Sequence, residues 1–166
     1  EFLTTAIPGK MFPNTYLLKS GIAPKDAAQK MLDEFAKKTK GIFSGVSEKN
    51  RNDALIIASL LQRESYRLEE LPIIAGIFKN RLRLGQKLQV DATVQYVMGT
   101  STDWWPKLVR ENYKIESPFN TYTVKGLPPA PICNPSVEAI DAALNPQITD
   151  QLYYMHDKAG YIHTSK

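Results

Sequence analysis

The strongest constraint on this chain is the segment from Ala54 to Ser65, ALIIASLLQRES, whose apolar residues recur at the period of an α-helix. Ile57, Leu60, Leu61 and Glu64 fall at i, i+3, i+4 and i+7, so they share one helical face. A helix with that face must lie against a core, and the core then receives a carboxylate along with three aliphatic side chains. Gln62 and Arg63 point elsewhere. Asn52 or Asp53 is placed to cap this helix. A second helix is expected after Glu69 and Glu70, with Pro72 in its first turn, Gly85 as its stop, and Ile74, Ile77, Phe78 and Leu82 inward. Asn80 and Arg81 interrupt its greasy run.

Around this pair the other elements are lighter. The section up to about Ser20 reads as extended. Pro24 opens a helix with the apolar stripe Ala27, Met31, Leu32 and Phe35, and lysines 37, 38 and 40 offset the dipole at its end. Residues 40–49, rich in Gly and Ser, offer the best boundary inside the domain, which divides the chain into a lead-in, 1–50, and a core, 51–166, of one continuous domain. Leu88–Val90 reads as a short strand, followed by a helix from Ala92 to Met98 capped by Asp91. Thr100–Pro135 is largely irregular, and a loop of that length is expected to be ordered and functional given its aromatic content. Ser136 caps a helix to about Leu144, and Leu152–Met155 with Tyr161–His163 form a hairpin around Asp157–Gly160. Helices and strands without βαβ alternation predict an α+β fold, helices packed on a small, mostly antiparallel sheet.

At 166 residues the chain has the length of one ordinary domain. With 43% hydrophobic and 23% charged residues it is not a disordered chain, a collagen or a coiled coil. The balance of 21 basic and 17 acidic residues leaves +4, with no dense basic face, which argues against nucleic acid as a partner. The single cysteine, Cys133, forms no internal disulfide and is expected to be a small packed residue. His156 and His163 are the only histidines and show no metal-ligand spacing. Phosphate-binding glycine loops, HExxH, CxxC and GxSxG are all missing from the sequence.

Three groups can carry chemistry. Glu64, desolvated on an apolar face, has the raised pKa that a general acid needs; the plainer alternative is a residue at the stripe's edge, paired with Arg67 or Arg81. Gln89, Asp91, Thr93 and Gln95 form a polar cluster. Strand alternation puts Gln89 and Asp91 on one side, to line a cleft, while Asp91 also suits a helix cap. The loop Ser117–Pro129 offers Asn120, Thr121 and Tyr122, the mixture of short polar groups and an aromatic ring found in sugar clefts, stiffened by prolines; a structural loop fits equally. Trp104 and Trp105 suit a packed anchor better than a stacking platform.

ALIIASLLQRES, IAGIFKNRLRLGQKLQVDATVQYVMG and SPFNTYTVKGLPPAPICNPSVEAIDAALNP, flanked by MFPNTY and LYYMHDKAGYIH, resemble the signature blocks of the MltG (YceG-like) family of endolytic murein transglycosylases. The likeness runs from about Gly9 onward. It implies a YceG-like catalytic domain that cleaves the β-1,4 bond between N-acetylmuramic acid and N-acetylglucosamine in nascent peptidoglycan strands. The products would end in 1,6-anhydromuramic acid, and the activity would limit strand length. The resemblance makes Glu64 the catalytic residue, with Gln62 where the family commonly has an acid. It assigns substrate binding to Asn80, Gln89, Asp91, Thr93, Ser117, Asn120, Thr121 and Tyr122, and it matches Arg81 and Asn134 to further motif positions. Val90, Ala92 and Ala130 depart from the usual residues, as do Tyr161 and His163 from the usual ending. No cofactor or metal is implied. The partners implied are peptidoglycan strands and peptidoglycan synthases, on the extracytoplasmic face of the bacterial cell membrane, held there by an N-terminal anchor. Beginning at Glu1 without that anchor or a LysM-like lobe, the chain is expected to be a catalytic-domain fragment. The alternatives are a hydrolytic muramidase and a non-catalytic peptidoglycan-binding or scaffolding module.

Overall fold

The computed structural model describes residues 1–166. Six helices, α1 (Phe2–Thr5), α2 (Pro24–Thr39), α3 (Glu48–Glu64), α4 (Leu71–Arg83), α5 (Asp91–Met98) and α6 (Val137–Leu144), pack with one antiparallel hairpin, β1 (Tyr153–His156) and β2 (Ile162–Ser165). The fold is α+β, as the lack of βαβ alternation predicts. Its sheet is only the two-stranded hairpin, with Tyr154 opposite Thr164 and His156 opposite Ile162.

Helix α3 is the central post, packing on α6, α4 and α5. Its core is wider than a single stripe: Ala54, Leu55, Ile56, Ala58, Leu60 and Leu61 are all buried, while Ile57 is half-buried. A helix covered on several sides loses the clean amphipathic signature. It starts five or six residues earlier than expected, because Ser47, rather than Asn52 or Asp53, is the N-cap and accepts from the Asn50 amide. Leu71, Ile74, Ile77 and Phe78 of α4 close the core from the other side. Phe12, Phe35 and Phe43, from the first fifty residues, belong to the same cluster as Leu60, Phe78 and Ile140. Along α2 the fully buried line is Ala28, Phe35 and Thr39, with Met31 and Leu32 half-buried beside it.

Two local expectations are corrected. The start of the chain is not all extended, since Phe2–Thr5 forms a helical turn on α2. Leu88–Val90 is not a strand: Gln89 has φ +55°, a left-handed conformation. The cause is Thr121, whose backbone oxygen accepts from the Gln89 amide (3.1 Å) and whose hydroxyl accepts from the Val90 amide (2.9 Å). A strand turns successive amides to opposite sides, and only a local reversal lets one residue receive both.

Gly76 sits where residues 147–149 cross α4. A Cβ there would strike the Gln147 carbonyl oxygen and touch the Thr149 side chain, while the Gln147 amide is anchored on the Pro72 carbonyl at 2.9 Å. Gly76→Ala should therefore lower stability by about 1–3 kcal/mol, against the helix-propensity gain of about 1 kcal/mol that an open position would give. Denaturant unfolding with unchanged m-value checks this.

Candidate active site

Glu64 is the last residue of α3, followed by Ser65 in extended conformation as the C-cap. A carboxylate at a helix C-terminus faces the negative end of the dipole, so the position itself disfavours charge. Neither arginine considered from the sequence pairs with it. The Arg81 Nε donates to the Leu152 carbonyl and its Nη1 to the Leu88 carbonyl, both at 2.6 Å, and the Arg67 guanidinium lies over the Tyr161 ring. The partner of Glu64 is Tyr154 of β1, whose hydroxyl donates to Oε2 at 2.6 Å. Oε1 has no protein partner, yet no buried side-chain polar atom goes unsatisfied, so Oε1 is the oxygen that faces open space. Burial pushes the Glu64 carboxyl above the ordinary carboxylate range. The Tyr154 bond opposes that rise, the Asp91 charge adds to it, and the charges of His156 and Arg63 subtract less.

Glu64 shares a cleft of about 340 Å³ with Arg81, Leu88, Gln89, Asp91, Tyr122 and Tyr154. Gln89 and Asp91 thus line one cleft with the acid, though by the left-handed turn and not by strand alternation. Asp91 is not the α5 cap. Val90 holds that place, and Asp91, at the first helical position, accepts from the Tyr122 hydroxyl at 2.5 Å and the Tyr113 hydroxyl at 3.3 Å. Burial and the Asp91 contact push the phenol of Tyr122 up strongly and that of Tyr113 up as well, so both remain donors. Glu64 also borders a smaller recess of about 120 Å³ with Ser65, Tyr66, Arg67, Glu70, His156 and Gly160. The largest cavity, about 840 Å³, lies between α2 and the start of α3 and has none of these groups on its walls, so size does not locate the chemistry.

Of the remaining residues singled out from the sequence, Thr93, Ser117, Asn120 and Thr121 support the cleft from behind and the others lie away from it. Thr93, Asn120 and Thr121 are fully buried and offer no surface to a ligand. Thr93 Oγ1 donates to the Val90 carbonyl (2.6 Å) and meets Thr121 Oγ1 at 3.0 Å. Asn120 donates to the carbonyls of Tyr113 and Ile115 and accepts from the Tyr122 amide, which aims the Tyr122 ring at Asp91. Ser117 shapes the same turn, its hydroxyl accepting from the Phe119 amide. Asn80 is away from the cleft and ties the approach to the hairpin, donating to the Thr149 and Gln151 carbonyls. Asn134 accepts from the Met11 amide, and Gln62 accepts from the Ser136 amide, pointing away from Glu64. Trp105 packs under the Arg63 guanidinium at 3.8 Å, whereas Trp104 is exposed. Cys133 is half-buried, and burial pushes its thiol up to about 11, which favours the protonated, weakly nucleophilic form.

Sequence reasoning passed over Tyr154, Glu70, His156 and Tyr113. Glu70 is buried, accepts from the Ser65 hydroxyl at 2.6 Å, and lies 2.8 Å from His156 Nε2. Burial raises its carboxyl, but these two bonds with the charges of His156 and Arg67 outweigh that and hold it below its usual value. The available signal was the period of two along YYMH, which turns Tyr154 and His156 to one face.

Comparison with known proteins gives a consistent picture. A family model described as the YceG-like family matches residues 1–166. An endolytic murein transglycosylase of Streptococcus pneumoniae (strain D39) is 32% identical over 155 residues, covering 91% of this chain and 28% of that protein. One from Bacillus subtilis (strain 168) is 31% identical over 162 residues, covering 94% of this chain and 43% of that protein. A crystal structure of a yceG-like protein from Listeria monocytogenes matches with a TM-score of 0.84 at 28% identity, over 95% of this chain and 52% of that one. The chain therefore spans 28% to 52% of the length of these relatives.

Proposed function

We infer that this chain, which belongs to the YceG-like family, is the catalytic part of an endolytic peptidoglycan lytic transglycosylase. The observation that carries this is one carboxyl group, Glu64, raised in pKa by burial, held through Oε2 by Tyr154, and turned into a polar cleft through Oε1. The substrate is the bond between N-acetylmuramic acid and N-acetylglucosamine of a nascent strand. Protonated Glu64 donates from Oε1 to the glycosidic oxygen as that oxygen leaves C1 and positive charge grows on the muramic ring. The carboxylate then takes the proton from the C6 hydroxyl while O6 bonds to C1. The acid is restored, an anhydro ring is formed and no water is consumed. Gln89, the Asp91–Tyr122 pair and Tyr113 are the groups placed to hold sugar hydroxyl and N-acetyl functions, while Thr93, Ser117, Asn120 and Thr121 keep those groups in position and Asn80 ties down the approach to the hairpin.

Such an enzyme works on the extracytoplasmic face of the cell membrane beside the synthases that supply its strands. No helix of this chain is long and apolar enough to cross a membrane. The products give the test. Digestion of uncrosslinked murein and mass analysis should show new ends one water lighter than reducing muramic acid. Ends at the full hydrated mass would make the protein a hydrolase on the same substrate, and binding without cleavage would make it a peptidoglycan-binding module.

A further inference from the structure

Past Leu152 the hairpin turns few polar side chains toward the body of the molecule, and two of them converge beside Glu64. Met155 faces outward and Tyr153 lies against the Arg81 guanidinium, while Tyr154 is directed at Glu64 and His156, largely exposed, reaches Glu70 with its ring nitrogen. The Tyr154 ring stands edge-on to Phe78, with centroids 6.2 Å apart, and its hydroxyl reaches Glu64. His156 meets buried Glu70, and the same Glu70 oxygen accepts from Ser65, the residue next to Glu64. A two-stranded hairpin is marginal on its own, so its seat depends on such ties.

We propose that the Glu70–His156 pair is a latch that seats the hairpin and thereby places the Tyr154 hydroxyl on Glu64, making Glu70 and His156 positioning residues for the acid. Its catalytic consequence rests on the reading of Glu64 given above; the latch itself does not require turnover to be measured. The groups facing Glu64 are Tyr154 and His156 from β1, Arg63 on its own helix, Asp91 from α5, and Tyr122, with Arg81 across the cleft and Glu70 across the smaller recess.

The test is the titration of the Glu64 carboxyl carbon, followed by NMR in the whole chain, for the wild type, Tyr154→Phe, Glu70→Ala and the double variant. Tyr154→Phe deletes a donor that favours the charged form, so the midpoint rises. Glu70→Ala opens the latch and releases the same donor, so its midpoint also rises, although removing a nearby negative charge by itself would lower it. In the Tyr154→Phe background the upward Glu70→Ala shift disappears, leaving only the lowering from the lost charge, as expected for residues acting through one contact. A downward shift or no shift in the wild-type background, or an equal shift in both backgrounds, overturns the proposal. His156→Ala opens the latch from its exposed side and replaces Glu70→Ala in the cycle if the buried substitution fails to melt cooperatively. On murein, Glu70→Ala lowers kcat roughly tenfold, the worth of one charge-assisted hydrogen bond, with KM little changed, and Glu70→Gln, which keeps an acceptor for His156, restores most of it. If the wild type leaves murein uncut, the functional reading falls while the titrations still decide the latch.

Discussion

Glu64→Gln should abolish strand cleavage, with a loss of roughly 10³-fold or more, because in the proposed mechanism one group supplies the proton in the first half of the reaction and removes it in the second. The amide keeps the shape and can still accept from Tyr154, so the loss reports proton transfer and not collapse of the cleft. The same substitution should make the protein more stable in neutral solution. Burial, followed by the Asp91 charge, favours the neutral carboxyl in the fold, so the folded pKa is above the unfolded one. Below the unfolded value both states are protonated and the site costs nothing. As pH rises through the window between the two values, the unfolded chain ionises first and stability is lost, and the loss persists above it. Melts of wild type and Glu64→Gln should coincide near pH 3.5 and separate by pH 8, the variant melting higher. In the wild type, kcat falls as pH rises through the raised pKa, since the acid must arrive protonated. A variant that cleaves normally, or one less stable than wild type at pH 8, would sink the assignment.

Arg81→Ala is expected to have the largest effect on stability, about 3 kcal/mol, with near-complete loss of activity. The buried guanidinium donates to Leu88 on one wall of the cleft and to Leu152 at the entry to β1 on the other. Charge-assisted bonds of this kind are worth about 1.5–3 kcal/mol each, and truncation leaves both carbonyls without their donor. Lysine does not repair the damage, because a point charge on a flexible stem cannot span two acceptors in a fixed fork. Urea unfolding measures the first effect and murein digestion the second. The activity should be lost even at temperatures where Arg81→Ala remains folded, because the two walls no longer share a strut.

What the sequence made legible was local. Ile57, Leu60, Leu61 and Glu64 do put a carboxyl on the packed side of a helix, Pro72 does open α4, and Ser136 does cap α6. What it hid was every contact made across the chain. Tyr154 lies 90 residues from Glu64 and His156 lies 86 from Glu70, and no periodicity encodes such pairings. The polar cluster was found but its roles were mixed: Gln89 and Asp91 reach the cleft, whereas Thr93 and Thr121 spend their hydroxyls inside the protein. The reversal at Gln89 is dictated by Thr121, more than thirty residues later, and a glutamine carries no hint of a left-handed turn. The early start of α3 was missed because Ser47 sat in a stretch that composition alone marks as loop.

The distance along the polypeptide between Glu64 and its phenolic partner also sets an order of events. A ribosome completes α3 and α4 long before the segment bearing Tyr154 emerges, and a growing chain folds what it has. Until the hairpin is made, the nascent protein thus carries its carboxyl without the hydroxyl that steadies it. The site is therefore complete only once a segment 90 residues beyond its carboxyl has been made and has folded back onto it.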